Sequence, residues 1–296
     1  MRRAVKRAAK NAVPDMVMGA AKGALSRGAV SLCRGLLVLL LGTASVLASA
    51  QPVSGDQHLQ YRFAPTSEDM PYRVYVPSQW EAGKSLPVIL MLHGAGANEN
   101  SYMDMAEGML PRLAEEHGYI VVSPNGLGPL GAYGNPLRLP AVFGESGIAA
   151  EQFAAVTPER QRTLNLSELE VMTALEVVTE TWGADRSRTF LMGHSMGSGG
   201  VWHLAARYPE RWAAIAPMSG PFIDRESYPF ERIRSIPLIL TEGRGATPSL
   251  EGSRNLAAFL RESGAFTYEY LEVDGDHGSM IPQVWPDIFR FFDRYK

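Results

Sequence analysis

A chain of 296 residues with 46% hydrophobic and 20% charged content suits one large globular domain, and its single cysteine excludes a disulfide-stapled scaffold. The overall charge of −3 hides an asymmetry. The first fifty residues carry eight Lys/Arg and one acid, which leaves 20 basic and 30 acidic residues in the remainder, a net of −10. A body that acidic repels nucleic acid and anionic membrane surfaces, so neither is an expected partner.

The chain opens with a basic stretch, "MRRAVKRAAK", followed by the short apolar run Leu36–Leu41 and by Ala48-Ser49-Ala50. Basic, apolar and small-residue regions in that order form the pattern of a secretory signal peptide, cleaved after Ala50. The apolar run is far shorter than the roughly 20 residues that span a bilayer. The basic region is long, so translation from Met16 or Met18 is an alternative start. An uncleaved signal anchor, tethering the protein to a membrane, is the alternative to a periplasmic or secreted product without stable membrane association. Cys33 precedes the apolar run and therefore cannot be a lipoprotein cysteine. The expected organisation is a signal peptide over 1–50, a flexible lead-in over 51–70 and a catalytic domain over 71–296.

Downstream, apolar runs alternate with amphipathic segments. Strands are expected at Tyr72–Val76, Val88–Leu92, Tyr119–Ser123, Thr189–Met192, Ala213–Pro217, Pro237–Thr241 and Tyr268–Val273. Most are almost wholly apolar, as parallel strands covered on both faces must be. Helices are expected at Ser101–His117, Ser167–Trp182, Gly199–Tyr208, Leu250–Ser263 and Val284–Tyr295. Ser167 and Glu170 have the spacing of a capping box, and Gly264 stands where a helix C-cap belongs. The alternation predicts an α/β fold, a mostly parallel sheet with helices on both faces, binding its ligand at the carboxyl ends of the strands. The interval Pro124–Asn165, rich in Gly and Pro, is too long for an ordinary connector and reads as a functional loop.

Chemistry concentrates in "FLMGHSMGSGG". Gly193-His194-Ser195-Met196-Gly197 is a G-x-S-x-G sequence between an apolar strand and a helical pattern. Such a turn lifts the serine hydroxyl out of the sheet and aims the helix's free N–H groups at the reaction centre. A serine nucleophile needs a base. His277, in the "DGDHGSM" loop after the last strand, follows the serine in the chain order expected of this arrangement. His203 lies about two helical turns beyond Ser195, too far to serve, and the His194 side chain must diverge at such a turn. The segment His93-Gly94-Ala95-Gly96 follows another apolar strand. A backbone N–H of Ala95 or Gly96, with that of Met196, is the expected oxyanion hole. Tyr133 and Phe143, in the long irregular loop, are candidates for the pocket wall. Trp182, Trp202 and Trp212 read as core residues. No metal cluster, nucleotide-binding loop or cysteine site is written in the sequence, and no cofactor is expected.

These motifs resemble the α/β-hydrolase superfamily, and within it the secreted bacterial esterases of the polyhydroxybutyrate depolymerase and feruloyl esterase type, with their prolyl-oligopeptidase-like relatives. The resemblance runs from Tyr72 to the C-terminus and rests on "LHGAGANENSYMD", "VVSPNG", "DRSRTFLMGHSMGSGGVWHLAARYPERWAAIAPMSG" and "VDGDHGSM". It implies Ser195 as nucleophile, His277 as base, a small or polymeric ester as substrate and an acyl-enzyme intermediate. Ser198 stands where such proteins usually have glycine.

One departure is larger. Relatives carry an aspartate in a sequence resembling "HGxxDxxVP" after the seventh strand; here "EGRGATPSL" puts Ala246 in its place. The missing carboxylate leaves three expectations: Glu242 at the strand end, Asp224 beyond the sixth strand, or no acid at all. Asp274 and Asp276 are too near His277 in sequence to be favoured. Loss of the triad carboxylate can cost on the order of 10⁴ in kcat. The competing functions are therefore a peptidase or amidase of the same fold, and a weak or inactive hydrolase fold used for binding.

Overall fold

A computed structural model describes residues 52–136, 156–223, 225–245, 247 and 249–296. The leader, Phe143, Asp224 and Ala246 lie outside the described residues. Eight strands form one sheet in the order β1-β2-β4-β3-β5-β6-β7-β8. They are β1 (Gly55–Phe63), β2 (Glu68–Val76), β3 (Val88–Leu92), β4 (Ile120–Pro124), β5 (Thr189–His194), β6 (Ala214–Met218), β7 (Leu238–Gly243) and β8 (Tyr268–Val273). The first two strands pair antiparallel with each other, and β2 pairs antiparallel with β4. Every other neighbouring pair is parallel, so β3 to β8 end on one edge.

Among the described residues six α-helices pack on the sheet: α1 (Ser101–His117), α2 (Pro158–Trp182), α3 (Met196–Arg207), the single turn α4 (Phe230–Ile233), α5 (Leu250–Ser263) and α6 (Ile281–Asp293). The central strands are buried along their whole length, which explains their near-continuous apolar sequences. Alternate residues serve opposite faces. Val88, Leu90, Leu92, Leu191, Ile215 and Leu238 pack with α2, α3 and α5, whereas Ile89, Met91, Phe190, Met192, Ala214 and Ile239 pack with α1 and α6. Trp182, Trp202 and Trp212 are core residues.

The expected elements are all present, with shifted ends and two corrections of substance. Residues 55–63 are not a flexible lead-in but strand β1, paired along its length with β2. Leu59, Tyr61 and Phe63 alternate with polar residues, the period of a half-covered strand. The second correction concerns Ser167 and Glu170, which cap nothing. Helix α2 begins nine residues before Ser167, where Thr157 Oγ1 accepts the Arg160 N–H at 3.1 Å and Pro158 opens the first turn. Three residues apart on one helix face, Ser167 and Glu170 are both fully buried and hold the loop after β4. Ser167 Oγ donates to the Gly126 carbonyl at 2.6 Å, and Glu170 Oε2 accepts the Gly126 N–H at 2.8 Å. Helix α1 matches its expected span but is broken inside, with Met105 extended and Ala106, Glu107 and Gly108 left-handed.

Candidate active site

Ser195 sits between β5 and α3 with φ 56° and ψ −116°, a backbone that only a tight turn imposes on a non-glycine residue. The glycines flanking it are required by crowding. A Cβ on Gly193 would stand 2.5 Å from the Gly197 carbonyl oxygen, and one on Gly197 would stand 2.2 Å from that of Leu92. The turn therefore presses α3 directly against the end of β3. Ser198 answers the departure from glycine noted above: its buried hydroxyl donates to the Gly220 carbonyl at 2.6 Å, tying the start of α3 to the turn after β6.

His277 Nε2 lies 2.9 Å from Ser195 Oγ. The histidine is carried by the loop between β8 and α6, as its place in the sequence predicts. Burial holds its imidazole below the ordinary pKa, opposed by the negative charges of Glu242 and Asp276. Asp276 is turned away; its Oδ1 accepts the N–H groups of Gly278 and Ser279. Asp274 pairs with Arg244 at the surface.

Glu242 is fully buried at the end of β7, but it is not the group at His277 Nδ1. That position belongs to Ser219 Oγ, at 2.7 Å. Ser219 follows β6 with φ 56° and its hydroxyl reaches Glu242 Oε1 at 2.8 Å. Glu242 Oε1 also accepts the Gly243 N–H at 3.2 Å, while Oε2 accepts the hydroxyls of Ser249 at 2.9 Å and Ser253 at 2.7 Å. Ser219, Ser249 and Ser253 are all buried. The carboxylate is thus drawn toward α5, and a serine fills the gap between it and the imidazole. Nothing in the residue types around Ser219 marks it; only its position at the end of β6, in "PMSG", could have drawn attention.

Of the two oxyanion candidates after β3, Gly96 is already engaged, since its N–H donates to the Pro129 carbonyl at 3.0 Å. Ala95 is exposed in the same turn. Met196 opens α3, where backbone N–H groups have no acceptor within the helix. The turn is held from several sides. Tyr133 is completely buried, so it is not a pocket wall; its hydroxyl donates to the His93 carbonyl at 2.9 Å and its N–H donates to Ser167 Oγ at 3.0 Å. His93 is also fully buried, its ring nitrogens facing the carbonyls of Gly94 and Asn125.

His194 connects these parts. Its Nε2 is 2.7 Å from the His277 carbonyl oxygen and so donates to it; Nδ1 then accepts the Tyr102 hydroxyl at 2.7 Å, whose oxygen accepts the Gly94 N–H at 3.1 Å. Burial, reinforced by the neighbouring His277, lowers its pKa to about 3. His203 is engaged elsewhere, with Nε2 2.7 Å from Glu168 Oε2. A cavity of about 440 Å³ lies beside it, lined by Asn135, Phe222, Tyr228 and Arg232 among others. Neither Ser195 nor His277 borders that cavity. Among the described residues no cluster has the makings of a metal site, and no helix is long and apolar enough to cross a membrane.

A serine on a strand-to-helix turn, faced by a histidine from the last loop of a mostly parallel sheet, defines an α/β-hydrolase fold. The chain belongs to the esterase family, whose model matches residues 64–236. Membership places it among carboxylic-ester hydrolases. Solved structures agree in fold. An S-formylglutathione hydrolase from Staphylococcus aureus superposes with TM-score 0.59 at 16% identity, covering 83% of this chain and 100% of its own. A ferulic acid esterase gives 0.58 at 16%, covering 82% and 100%. A thermostable esterase gives 0.54 at 23%, with 81% of this chain spanning 60% of that one. A comparison with curated protein sequences finds no match.

Proposed function

We propose that the protein hydrolyses carboxylic esters through an acyl-enzyme on Ser195. The observation that carries this is the 2.9 Å contact between Ser195 Oγ and His277 Nε2 at a turn that exposes the serine. His277 takes the hydroxyl proton as Oγ attacks the ester carbonyl, forming the C–O bond of a tetrahedral intermediate. The N–H groups of Ala95 and Met196 hold the oxyanion. His277 then returns the proton to the departing alcohol, and water repeats the cycle on the acyl group. The low pKa of His277 keeps it neutral, hence competent as a base, below the ordinary imidazole range. Activity should therefore persist into mildly acidic solution.

A fluorophosphonate probe tests the assignment. Wild-type protein becomes labelled on Ser195, and Ser195→Ala and His277→Ala abolish labelling together with turnover of p-nitrophenyl esters. A folded wild-type protein that neither labels nor cleaves any ester of the panel would overturn it, and preferential cleavage of peptide anilides would reassign the same site to amide bonds.

We also infer that the protein acts outside the cytoplasm. The basic, apolar and small-residue order of residues 1–50, and the acidic body that follows, support that reading. Expressed in a bacterial host, the extracytoplasmic fraction should yield protein whose N-terminus is Gln51. Full-length chain retained in the membrane would favour the uncleaved anchor.

A further inference from the structure

We propose that Ser219 is the positioning residue for His277 and that it transmits the charge of Glu242 to the imidazole, taking the place of the carboxylate lost at Ala246. The inference rests on the esterase reading of Ser195 and His277.

Proton accounting fixes the direction of every bond. To accept the Ser195 proton, His277 must present an unprotonated Nε2, so in the neutral ring the hydrogen sits on Nδ1. The group 2.7 Å from Nδ1 must then be an acceptor, and it is Ser219 Oγ. Having accepted there, Ser219 has one hydrogen to give, and its neighbour at 2.8 Å is Glu242 Oε1. Ser249 and Ser253 donate to the other carboxylate oxygen and the Gly243 N–H to the same one. Every donor in the cluster has an acceptor and none is doubled. With the hydrogen on Nε2 instead, Ser219 would have to donate to Nδ1 and its bond to Glu242 would be lost.

During attack the Ser195 proton moves to Nε2. The Nδ1 hydrogen stays on the ring, Ser219 keeps its own, and Glu242 remains a carboxylate throughout. The imidazolium is stabilised at one remove: its charge polarises Ser219 Oγ, whose hydroxyl dipole is already aligned by Glu242 in a site shut off from water. The cluster also explains why the carboxylate points into the molecule. Three hydroxyls and an N–H converge on it there.

The backbone supplies a clean test. Ser219 has φ 56°, a conformation that glycine adopts without cost, so Ser219→Gly removes the hydroxyl while leaving the turn relaxed. The expected result is a folded protein whose kcat falls by about 10²-fold, less than the roughly 10⁴-fold loss of orientation when a triad carboxylate is neutralised, with KM within about threefold. Glu242→Gln keeps an acceptor for Ser219 but removes the charge. Its kcat should fall by about 10-fold, and the acidic limb of kcat/KM should move to lower pH, because the imidazolium loses its counter-charge. A Ser219→Gly variant with kcat within threefold of wild type, or a Glu242→Gln variant with an unmoved acidic limb and unchanged kcat, would overturn the proposal. Such an outcome leaves the esterase reading intact so long as Ser195→Ala is inactive; if Ser195→Ala is fully active, the reading of the site itself has failed.

Discussion

The end of β5 and the ends of β6 and β7 solve different physical problems, and they left different traces in the sequence. At β5, a serine must be lifted into solvent on a turn so tight that a Cβ on Gly193 or Gly197 would collide with backbone. Sterics of that kind admit one residue type, so the turn is spelled out. At β6 and β7, the requirement is a negative charge that reaches an imidazole. A carboxylate at any of several strand ends meets it, directly or through a hydroxyl. Ser219 and Glu242 together meet it here, and neither is recognisable alone. Backbone constraints are written in residue identity; electrostatic constraints are written in position, which only the fold reveals.

Exchanging the rules between the two places separates the two kinds of constraint most strongly. Gly197→Ala brings a methyl group to 2.2 Å from the Leu92 carbonyl oxygen and 2.9 Å from that of His93, backbone atoms that cannot rotate away. The variant should lose about 3 kcal/mol of stability or more, or fail to accumulate as soluble protein. Ser219→Gly, the opposite exchange one strand along, should lose activity while its unfolding midpoint in urea stays near that of wild type. Equal destabilisation by the two would show that both turns are steric devices.

The same distinction explains how far the sequence could be read. The succession of strands and helices, the elbow and the turn after β3 follow from apolar periodicity and from glycine placement, and His277 follows from its place after the last strand. What escaped notice was carried by residues whose neighbours come from elsewhere in the chain. Strand β1 exists because β2 offers it an edge; its alternating residues are too polar to announce a strand alone. Ser167 and Glu170 have the spacing of a helix cap, yet the helix runs through them and their side chains brace the Gly126 loop. Tyr133, in a loop that reads as a pocket wall, is swallowed beneath the oxyanion turn because Gly200 and Gly126 leave room for its ring. Glu242 was visible as a candidate acid, but the serine that separates it from His277 was not.

His194 spans the two regions, and its titration measures how rigidly they are joined. It belongs to the legible elbow, yet its Nε2–H holds the carbonyl of His277, while Nδ1 accepts a hydrogen from Tyr102. A second proton is disfavoured: burial penalises the charge, the His277 ring lies 4.6 Å away centroid to centroid, and Nδ1–H would force the Tyr102 hydroxyl to turn from donor to acceptor. The folded pKa is about 3, against about 6.5 in the unfolded chain. Between those values the unfolded state binds the extra proton, so stability falls as the solution is acidified. From pH 6.5 to pH 5 the loss due to this group is roughly 2 kcal/mol. His277, also held below the ordinary value, adds to it in the same direction. His194→Gln can keep the bond to the His277 carbonyl but carries no titrating group. Urea unfolding at pH 7.5, 6.5 and 5 should therefore show a shallower acid loss in the variant than in wild type, whatever their difference at pH 7.5. Parallel pH dependences would mean that His194 picks up its proton in the folded protein, and that the joint between elbow and histidine loop is looser than its hydrogen bonds imply.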